Sequence, residues 1–334
     1  MKRFFVFLGV VLATIGSAVQ AQEVDSMAQL QKSSWGDAKT MKVNEYIPDV
    51  SIHARMGYEH DFLEQVGRFD SNGLYLGIDG KISPNFSYSF YHCIATDDGG
   101  DFFTNTNWLT VSYENDFMSL KAGKDGVLAG SFEYDAYDVD SYYFMNSSFW
   151  NSFDCWQWGV SAAWYPADEH EVLLQISNSP YAFGETGLFA YALGWRGAWD
   201  FYESYWTANL WQYSSENYVK SLNLGNRFTF GNFSVDLDLM GRFGEIEVPY
   251  SGFTGTLAPS YEISDWGRAF AKFGWETGEA EDYMFYGAGF EYFPLKEDKD
   301  VRIHAAWSAN SFGDNFINIG VTWKFDIKSA PKYL

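Results

Sequence analysis

The chain has 334 residues and carries 22 Lys and Arg residues against 44 Asp and Glu residues, for a formal net charge of −22 at pH 7. This excess of acid disfavours nucleic acid as a partner, because phosphate binding requires basic side chains, and it disfavours attachment to a membrane surface through a polybasic patch. Aromatic residues make up 20% of the chain, and Trp and Tyr favour the boundary between membrane and water.

Residues 1–21 have the pattern of a secretory signal peptide. Lys2 and Arg3 form the basic start, an apolar stretch follows from 4 to 15, and Ala21 ends a cleavage site. An uncleaved anchor helix is the weaker alternative, because the apolar stretch is short for a bilayer-spanning helix. The exported chain would carry 20 basic against 44 acidic side chains, a charge of −24, since only two basic residues are lost. Residues 22–47 are polar and predict an irregular periplasmic segment.

From about residue 48 to residue 326, apolar and polar side chains alternate in segments of about ten residues. In the last segment, odd positions are occupied by Ile317, Ile319, Val321, Trp323 and Phe325, with polar or small residues between them. Successive side chains of a strand point to opposite faces, so one face is apolar and the other is polar. Repeated around a closed sheet, this pattern predicts an all-β fold, a transmembrane antiparallel β-barrel with lipid outside and water inside.

The connections between the predicted strands alternate between short and long, which is typical of periplasmic turns and outer loops. We expect about 16 strands, because an even number returns both termini to the periplasm. Fourteen strands is the alternative, because the segment 255–264 is a poor strand with Pro259 inside it. A 16-stranded barrel encloses an aqueous channel. The predicted barrel covers residues 48–326 and is followed by a C-terminal tail at 327–334.

Strand parity predicts which charged side chains face the interior, because a charge that faces lipid near the midplane costs about 2–4 kcal/mol. The predicted pore-lining basic residues are Arg55, Lys81, Lys121, Arg196, Arg227, Arg242, Arg268, Lys272, Arg302 and Lys324. The predicted pore-lining acidic residues are Asp79, Asp236, Asp238, Glu276 and Glu291. Two interpretations stay open: the charges set up a transverse field for solutes, or they pair with one another and brace the wall.

The longest predicted outer loop, residues 125–153, is acidic and aromatic and contains no Lys or Arg. A loop of this length is usually functional or disordered, and its aromatic content favours order. We expect it to fold into the lumen as a narrowing; the alternative is an acidic outer cap. The predicted constriction residues are Glu133, Asp135, Asp138 and Asp140.

Cys93 and Cys155 are the only two cysteines. Export to an oxidising compartment permits a disulfide between them. Their spacing in the sequence does not show that the two α-carbons come within bridging distance. A disulfide and two separate thiols are therefore both open.

The sequence contains no recognisable catalytic motif. The five histidines are His53, His60, His92, His170 and His304. None lies in a serine nucleophile elbow or in a His-Glu-x-x-His metal motif, and the chain has no phosphate-binding glycine loop and no Cys-x-x-Cys pair. We therefore expect no enzymatic activity, no cofactor and no metal site.

Residues 118–124, 172–180 and 320–325 resemble the phosphate-selective porin O and P family, in particular its members from Bacteroidetes-like bacteria. The resemblance spans most of the barrel and implies a trimeric, 16-stranded outer-membrane channel with an inward-folded third loop. Family members select phosphate with a ladder of basic side chains at the narrowing, whereas this loop is acidic, so phosphate selectivity is not carried over. Phe325 resembles the terminal aromatic of outer-membrane barrels, although residues 326–334 follow it.

Together the pattern and the resemblance predict a porin in the outer membrane of a Gram-negative bacterium. Its water-filled channel would allow passive diffusion of small hydrophilic solutes or ions. The alternative is a non-conducting outer-membrane barrel that binds cations, glycans or surface lipids through its acidic outer loops. Expected partners are outer-membrane lipid, small solutes or ions, and further copies of the chain in a homotrimer.

Overall fold

The structure is a computed structural model, and it describes residues 48–94, 101–135, 140–142, 145–182, 186–243, 252–277, 282–296 and 299–327. These residues form a closed barrel of sixteen antiparallel strands. The strands are β1 (Asp49–Asp61), β2 (Val66–Ser83), β3 (Phe86–Cys93), β4 (Thr106–Glu114), β5 (Met118–Gly126), β6 (Trp156–Ala167), β7 (His170–Asn178), β8 (Phe189–Trp199), β9 (Tyr202–Gln212), β10 (Tyr218–Phe230), β11 (Phe233–Phe243), β12 (Gly252–Ser264), β13 (Gly267–Glu276), β14 (Tyr283–Tyr292), β15 (Val301–Asn310) and β16 (Asn315–Ile327).

The barrel closes where β1 pairs with β16, in a register that runs from Val50 opposite Ile327 to Asp61 opposite Phe316. Every other strand pairs with its neighbours in chain order. A closed sheet has no edge, so the wall satisfies the backbone donors and acceptors of its own strands. Hydrocarbon surroundings impose this condition on any membrane-spanning sheet. The predicted fold class is confirmed.

The segment that the sequence marked as a poor strand is β12, and it forms part of the wall. Pro259 lies opposite Val235 of β11. On the other side, the pairing with β13 passes from Leu257–Phe273 to Ser260–Phe270 around the proline. Proline has no N–H to donate, so the ladder is interrupted there. The flanking pairs hold β12 in place, and the barrel therefore has 16 strands rather than 14.

The two-residue alternation separates the outer face from the inner face. On the outer face, large apolar side chains such as Val160, Leu174 and Leu193 are about half exposed. On the inner face of β11, the charged side chains of Asp238 and Arg242 are buried. Burial of charged groups requires partners in the interior. Asp238 finds them in the connection 127–155, and Arg242 donates to Thr254 of β12.

The connections at the two ends of the barrel differ in length. At the end where β1 begins and β16 ends, here called the terminal end, the connections 84–85, 115–117, 168–169, 200–201, 231–232 and 265–266 are short, and 293–300 is longer. At the opposite end, here called the loop end, the connections 94–105, 127–155 and 179–188 are long. Among the described residues, no helix is long and apolar enough to cross a membrane.

Candidate functional site

The described residues of the connection 127–155, here called the long loop, lie inside the barrel and bond to its inner wall. Gln175 on β7 accepts a hydrogen bond of 2.8 Å from the backbone of Leu128. On the far side of the barrel, Lys324 on β16 and Arg55 on β1 donate to other loop residues. Because these strands lie far apart around the wall, the loop extends across the interior.

The first anchor of the long loop is the buried carboxylate of Asp238 on β11. It accepts hydrogen bonds from Ser131 Oγ at 2.7 Å, from the Phe132 N–H at 3.1 Å and from the Glu133 N–H at 3.0 Å. Ser131 is the N-cap of a short 3-10 helix at Phe132–Tyr134. The first amides of a helix have no partner within it, and a carboxylate is a strong acceptor for them. Asp238 therefore fixes the first part of the long loop, residues 127–135 and here called the inward arm, to the wall.

The second anchor is Glu276, the last residue of β13. Its carboxylate accepts hydrogen bonds from the Ser148 N–H at 2.8 Å and the Phe149 N–H at 3.3 Å. The Ser148 hydroxyl and Thr254 Oγ1 donate to the same carboxylate. Glu276 is buried, so each of these donors replaces a lost water. The last part of the long loop, residues 145–155 and here called the returning arm, is thus also fixed to the wall.

Glu133 connects both arms of the loop to the wall. Its carboxylate accepts hydrogen bonds from Ser147 N and Ser147 Oγ, each at 2.8 Å. Lys272 on β13 donates to it at 2.6 Å and also donates to Asn146 Oδ1 at 3.0 Å. Since Glu133 lies on the inward arm and Ser147 on the returning arm, the ion pair with Lys272 holds the two arms together.

Asp140 lies near the far end of the loop, against β15 and β16. Lys324 donates to its carboxylate at 2.6 Å, and Arg302 forms a second ion pair with it. Burial of the Asp140 carboxyl favours its neutral form, but the adjacent Arg302 and Lys324 cations outweigh that effect. The pKa of Asp140 therefore lies below its ordinary value. The carboxylate is the charged counterpart of two cations that the sequence predicted to line the pore.

Tyr142 packs the same part of the loop against β1 and β14. Its hydroxyl donates to Glu291 at 3.0 Å. The guanidinium of Arg55 stacks 4.2 Å above its ring and donates to the Ser141 carbonyl at 2.6 Å. Burial, and then the neighbouring Glu291 carboxylate, raise the pKa of the Tyr142 hydroxyl above its ordinary value. The hydroxyl is therefore a donor at neutral pH, as the contact with Glu291 requires.

Apolar contacts hold the base of the loop near the loop end of the barrel. Phe149 lies parallel to Trp211 of β9, with ring centroids 6.2 Å apart. The cluster around these two rings comprises Phe149, Phe153, Tyr181, Ala190, Trp211, Val219 and Met240, with Val127, Tyr134, Cys155 and Tyr213 packed against it. The aromatic residues of the loop thus form a small core inside the barrel, which gives the loop order.

Gly130 allows the loop to approach β9 closely. Its φ is +70°, a region that L side chains rarely adopt. A Cβ at this position would lie 2.7 Å from the backbone nitrogen of Thr207. The loop therefore enters the lumen at a residue that only glycine fits.

The structure places the predicted charged residues in three settings, and Arg227 and Glu291 belong to two of them. Those that contact described residues of the long loop are Arg55, Arg196, Arg227, Arg242, Lys272, Arg302, Lys324, Asp238, Glu276 and Glu291. Pairs within the wall are Lys121–Asp125, Arg227–Asp236 and Arg268–Glu291. Asp79 and Lys81 are exposed near the terminal end of β2. Asp138 lies outside the described residues, and the roles of all these residues in a pore remain predictions.

The exposed pair between Asp135 and Arg196 differs from the buried contacts. The two side chains are 3.0 Å apart and each is 39% exposed, so water screens them. Arg196 also lies 3.8 Å from Glu171 of β7. Among the loop acids, Asp135 is thus held less firmly than Glu133 or Asp140.

Sequence reasoning missed several residues that complete this arrangement. The anchors Ser131, Ser147 and Ser148 donate to buried carboxylates, and only the Ser131 position carries a local signal, since serine is a preferred N-cap. The wall acids Asp125, Glu171 and Glu203 pair with Lys121, Arg196 and Arg227. Each of these acids occupies an inward position of its strand. Assigning faces along the whole of every strand would therefore have included them.

The strand order separates the two cysteines. Cys93 ends β3, Cys155 directly precedes β6, and β4 and β5 lie between them. Three strand spacings correspond to about 14 Å, whereas a disulfide requires α-carbons within about 7 Å. The structure does not join the two sulfurs. Of the two possibilities that the sequence left open, the strand order favours two separate thiols over a disulfide.

No family model matches this chain, and no curated protein matches it. Solved structures, in contrast, match this chain. A structure from work on the asymmetric conductivity of engineered proteins is 15% identical with a TM-score of 0.63, and the match covers 83% of this chain and 100% of that one. A mutant of Rh. blastica porin and a triple mutant of Rhodopseudomonas blastica porin are 14% and 13% identical, each with a TM-score of 0.62 and the same coverage. At these identities the likeness shows the fold, which is that of a porin barrel.

Proposed function

We propose that this chain is an outer-membrane porin that forms a water-filled channel for passive diffusion of small hydrophilic solutes or ions. The observation that carries the proposal is the long loop, which lies inside a closed 16-stranded barrel and is anchored there by buried carboxylates. A barrel of this strand number encloses more space than its own side chains fill. An inward loop reduces that space to a narrower passage without closing the barrel.

We place the passage between the long loop and the inner face of β2 to β5. The described loop residues bond to strands from β7 through β16 to β1. The opposite wall presents the accessible charges of Asp79 and Lys81 on β2 and of Lys121 and Asp125 on β5. Both signs of charge occur along this side, which suits hydrated ions and polar solutes.

We infer that the channel prefers cations. Lys272 is paired with Glu133, and both Arg302 and Lys324 are paired with Asp140. These loop acids neutralise the basic wall that anion selectivity requires. The chain as a whole carries a net charge of −22, which raises the local concentration of cations near its openings.

We further propose export through the signal peptide at 1–21, a periplasmic segment at 22–47, and membership of the phosphate-selective porin O and P family without its phosphate selectivity. The residue pattern of 1–47 supports the leader and the periplasmic segment, and the resemblance at 118–124, 172–180 and 320–325 supports the family. By the same resemblance, we propose a homotrimer in the outer membrane of a Gram-negative bacterium.

Single-channel recording in a planar bilayer tests the proposed function. The refolded, purified chain should produce stepwise currents on the nanosiemens scale, whereas the same sample denatured by boiling should produce none. A chain that migrates as a folded barrel but remains electrically silent contradicts the porin function. That outcome would favour a barrel that binds its ligands at the outer loops.

A further inference from the structure

A broad apolar groove crosses the outer face of the barrel between β4 and β10. Its volume is about 1060 Å³, slightly above the roughly 300–1,000 Å³ of a typical small-molecule site. The groove follows the strand register, because Leu120, Ala162, Leu174, Leu193, Ala208 and Leu222 are successive cross-strand partners. Two alanines stand among the four leucines of this row, and a depression forms where the side chains are small.

Two lysines border this groove, Lys121 and Lys220. The Lys121 side chain pairs with Asp125 on the inner face, so Lys220 is the one whose charge lies on the outer face. Lys220 is the third residue of β10, near the loop end, and it is exposed. It belongs to the outer face, because Ile176, Tyr191, Leu210 and Lys220 are successive cross-strand partners. A lysine can keep its stem along apolar surface while its ammonium reaches the polar boundary of a membrane. Lys220 is placed for that arrangement.

Lys220 is the exposed cation among the outward positions of the described strands β4 to β10. Lys124, which lies opposite Trp158, is buried and donates to the Phe103 carbonyl. Within the described strands β4 to β10, the outward positions carry no carboxylate, since Glu171 of β7 and Glu203 of β9 face inward with their partners Arg196 and Arg227. The rest of the chain repels anions, with a net charge of −22. Within the described strands β4 to β10, an anionic group that approaches the outer wall at the groove therefore meets the Lys220 cation and no outward carboxylate.

We propose that this groove binds an anionic phospholipid, with acyl chains along the apolar row and the phosphate paired with Lys220. The proposal rests on the proposed function only in requiring a membrane-embedded barrel. Ala162 and Ala208 give the acyl chains room, and the lysine determines the class of headgroup. The site is distinct from the lumen, because the groove residues and the pore-lining residues alternate along the same strands. Ala122, for example, lines the groove, while its neighbour Lys121 pairs with Asp125 in the wall's inner face.

Native mass spectrometry of the full chain in detergent tests the site. The probes are phosphatidylglycerol, a diacylglycerol with the same acyl chains, and inorganic phosphate. The wild-type chain should retain phosphatidylglycerol more strongly than diacylglycerol and should retain no inorganic phosphate. Lys220→Gln should reduce the retention of phosphatidylglycerol by about fivefold, as expected for one lysine at a membrane surface, and should leave that of diacylglycerol unchanged.

Two further variants serve as controls. Lys121→Gln removes the same charge from the inner face of a groove strand and should leave lipid retention unchanged. Ala208→Phe fills the groove and should weaken the retention of both lipids. Equal retention of phosphatidylglycerol by wild type and Lys220→Gln, or an equal loss with Lys121→Gln, overturns the proposal. The readout does not depend on conduction, so an electrically silent barrel would end the porin proposal and leave this one standing.

Discussion

The Lys272 ammonium lies 2.6 Å from the Glu133 carboxylate, and the two side chains are only 13% and 1% exposed. Lys272 belongs to β13 and Glu133 to the long loop, so the contact joins residues that are 139 positions apart in the chain. Loss of one partner of such a buried pair leaves the other charged and uncompensated. The pair therefore commits the loop to one position inside the barrel.

Lys272→Met should destabilise the barrel by about 3–5 kcal/mol, because Glu133 would remain buried without its counter-ion. The free energy of unfolding in detergent, measured with a chemical denaturant, checks this expectation. Arg196→Met is the matched control, since it breaks a pair with Asp135 in which both side chains are 39% exposed, and such pairs contribute about 1 kcal/mol or less. Equal losses for the two variants would contradict the buried-anchor interpretation.

The combined substitution of Asp135→Asn and Asp140→Asn should shift ion selectivity toward anions. It removes the loop carboxylates that face Arg196, Arg302 and Lys324 and so adds net positive charge to the lumen, although Arg196 keeps Glu171 and Arg302 keeps Glu291. The measurement is the reversal potential across a bilayer with a salt gradient. Glu64→Gln removes the same type of charge from an exposed turn between β1 and β2 and should leave the reversal potential unchanged. A double variant that stays as cation-selective as the wild type would rule out control by the loop acids.

Gly130→Ala should displace the long loop, whereas Gly187→Ala should be tolerated. Both glycines have a positive φ, +70° and +85°, so each substitution carries a backbone cost of about 1–2 kcal/mol. Only at Gly130 would the new Cβ also collide with Thr207, because nothing lies within 4 Å of a Cβ at Gly187. Limited proteolysis of the loop and the variance of the open-channel current should rise for Gly130→Ala. Indistinguishable behaviour of the two variants would show that close packing against β9 does not hold the loop.

The contribution of Asp140 should depend on pH with a definite sign. Its pKa in the folded chain is lowered from the ordinary value of 3.8, because the Arg302 and Lys324 cations outweigh the effect of burial. A lowered pKa means that its stabilisation is complete above pH 3.8 and is lost as the pH falls through the lower, folded-state value. The difference in unfolding free energy between wild type and Asp140→Asn should therefore stay constant from neutral pH down to about pH 4 and then shrink. A difference that already fades near neutral pH would show that another group is responsible.

The barrel wall was predictable because its signal is local. In β16, alternate residues from Ile317 to Phe325 carry the apolar face, and the register with β1 and β15 preserves that division. The segment with Pro259 was harder to assign, because its strand state depends on pairing with β11 and β13 rather than on its own residues. Neighbouring strands compensate for one missing donor.

The position of the long loop inside the barrel was predictable only in part. Length, acidity and aromatic content indicated an ordered inward loop, but the contact between Ser131 and Asp238 joins residues 107 positions apart. No periodicity relates such a pair. The cysteines show the same limit, because only the strand order reveals that β4 and β5 separate Cys93 from Cys155.

The position of the long loop also depends on the last strand of the barrel. Asp140 binds Lys324, which lies 184 residues later in the chain. Contacts of such sequence separation form late, since closing a long stretch of chain costs entropy before the contact forms. Until β16 docks, Asp140 lacks its contact with Lys324, and the far end of the long loop is held less firmly. A substitution that removes the contact between Asp140 and Lys324 without disturbing the pairing of β16 with β1 should therefore loosen the long loop while the barrel stays closed.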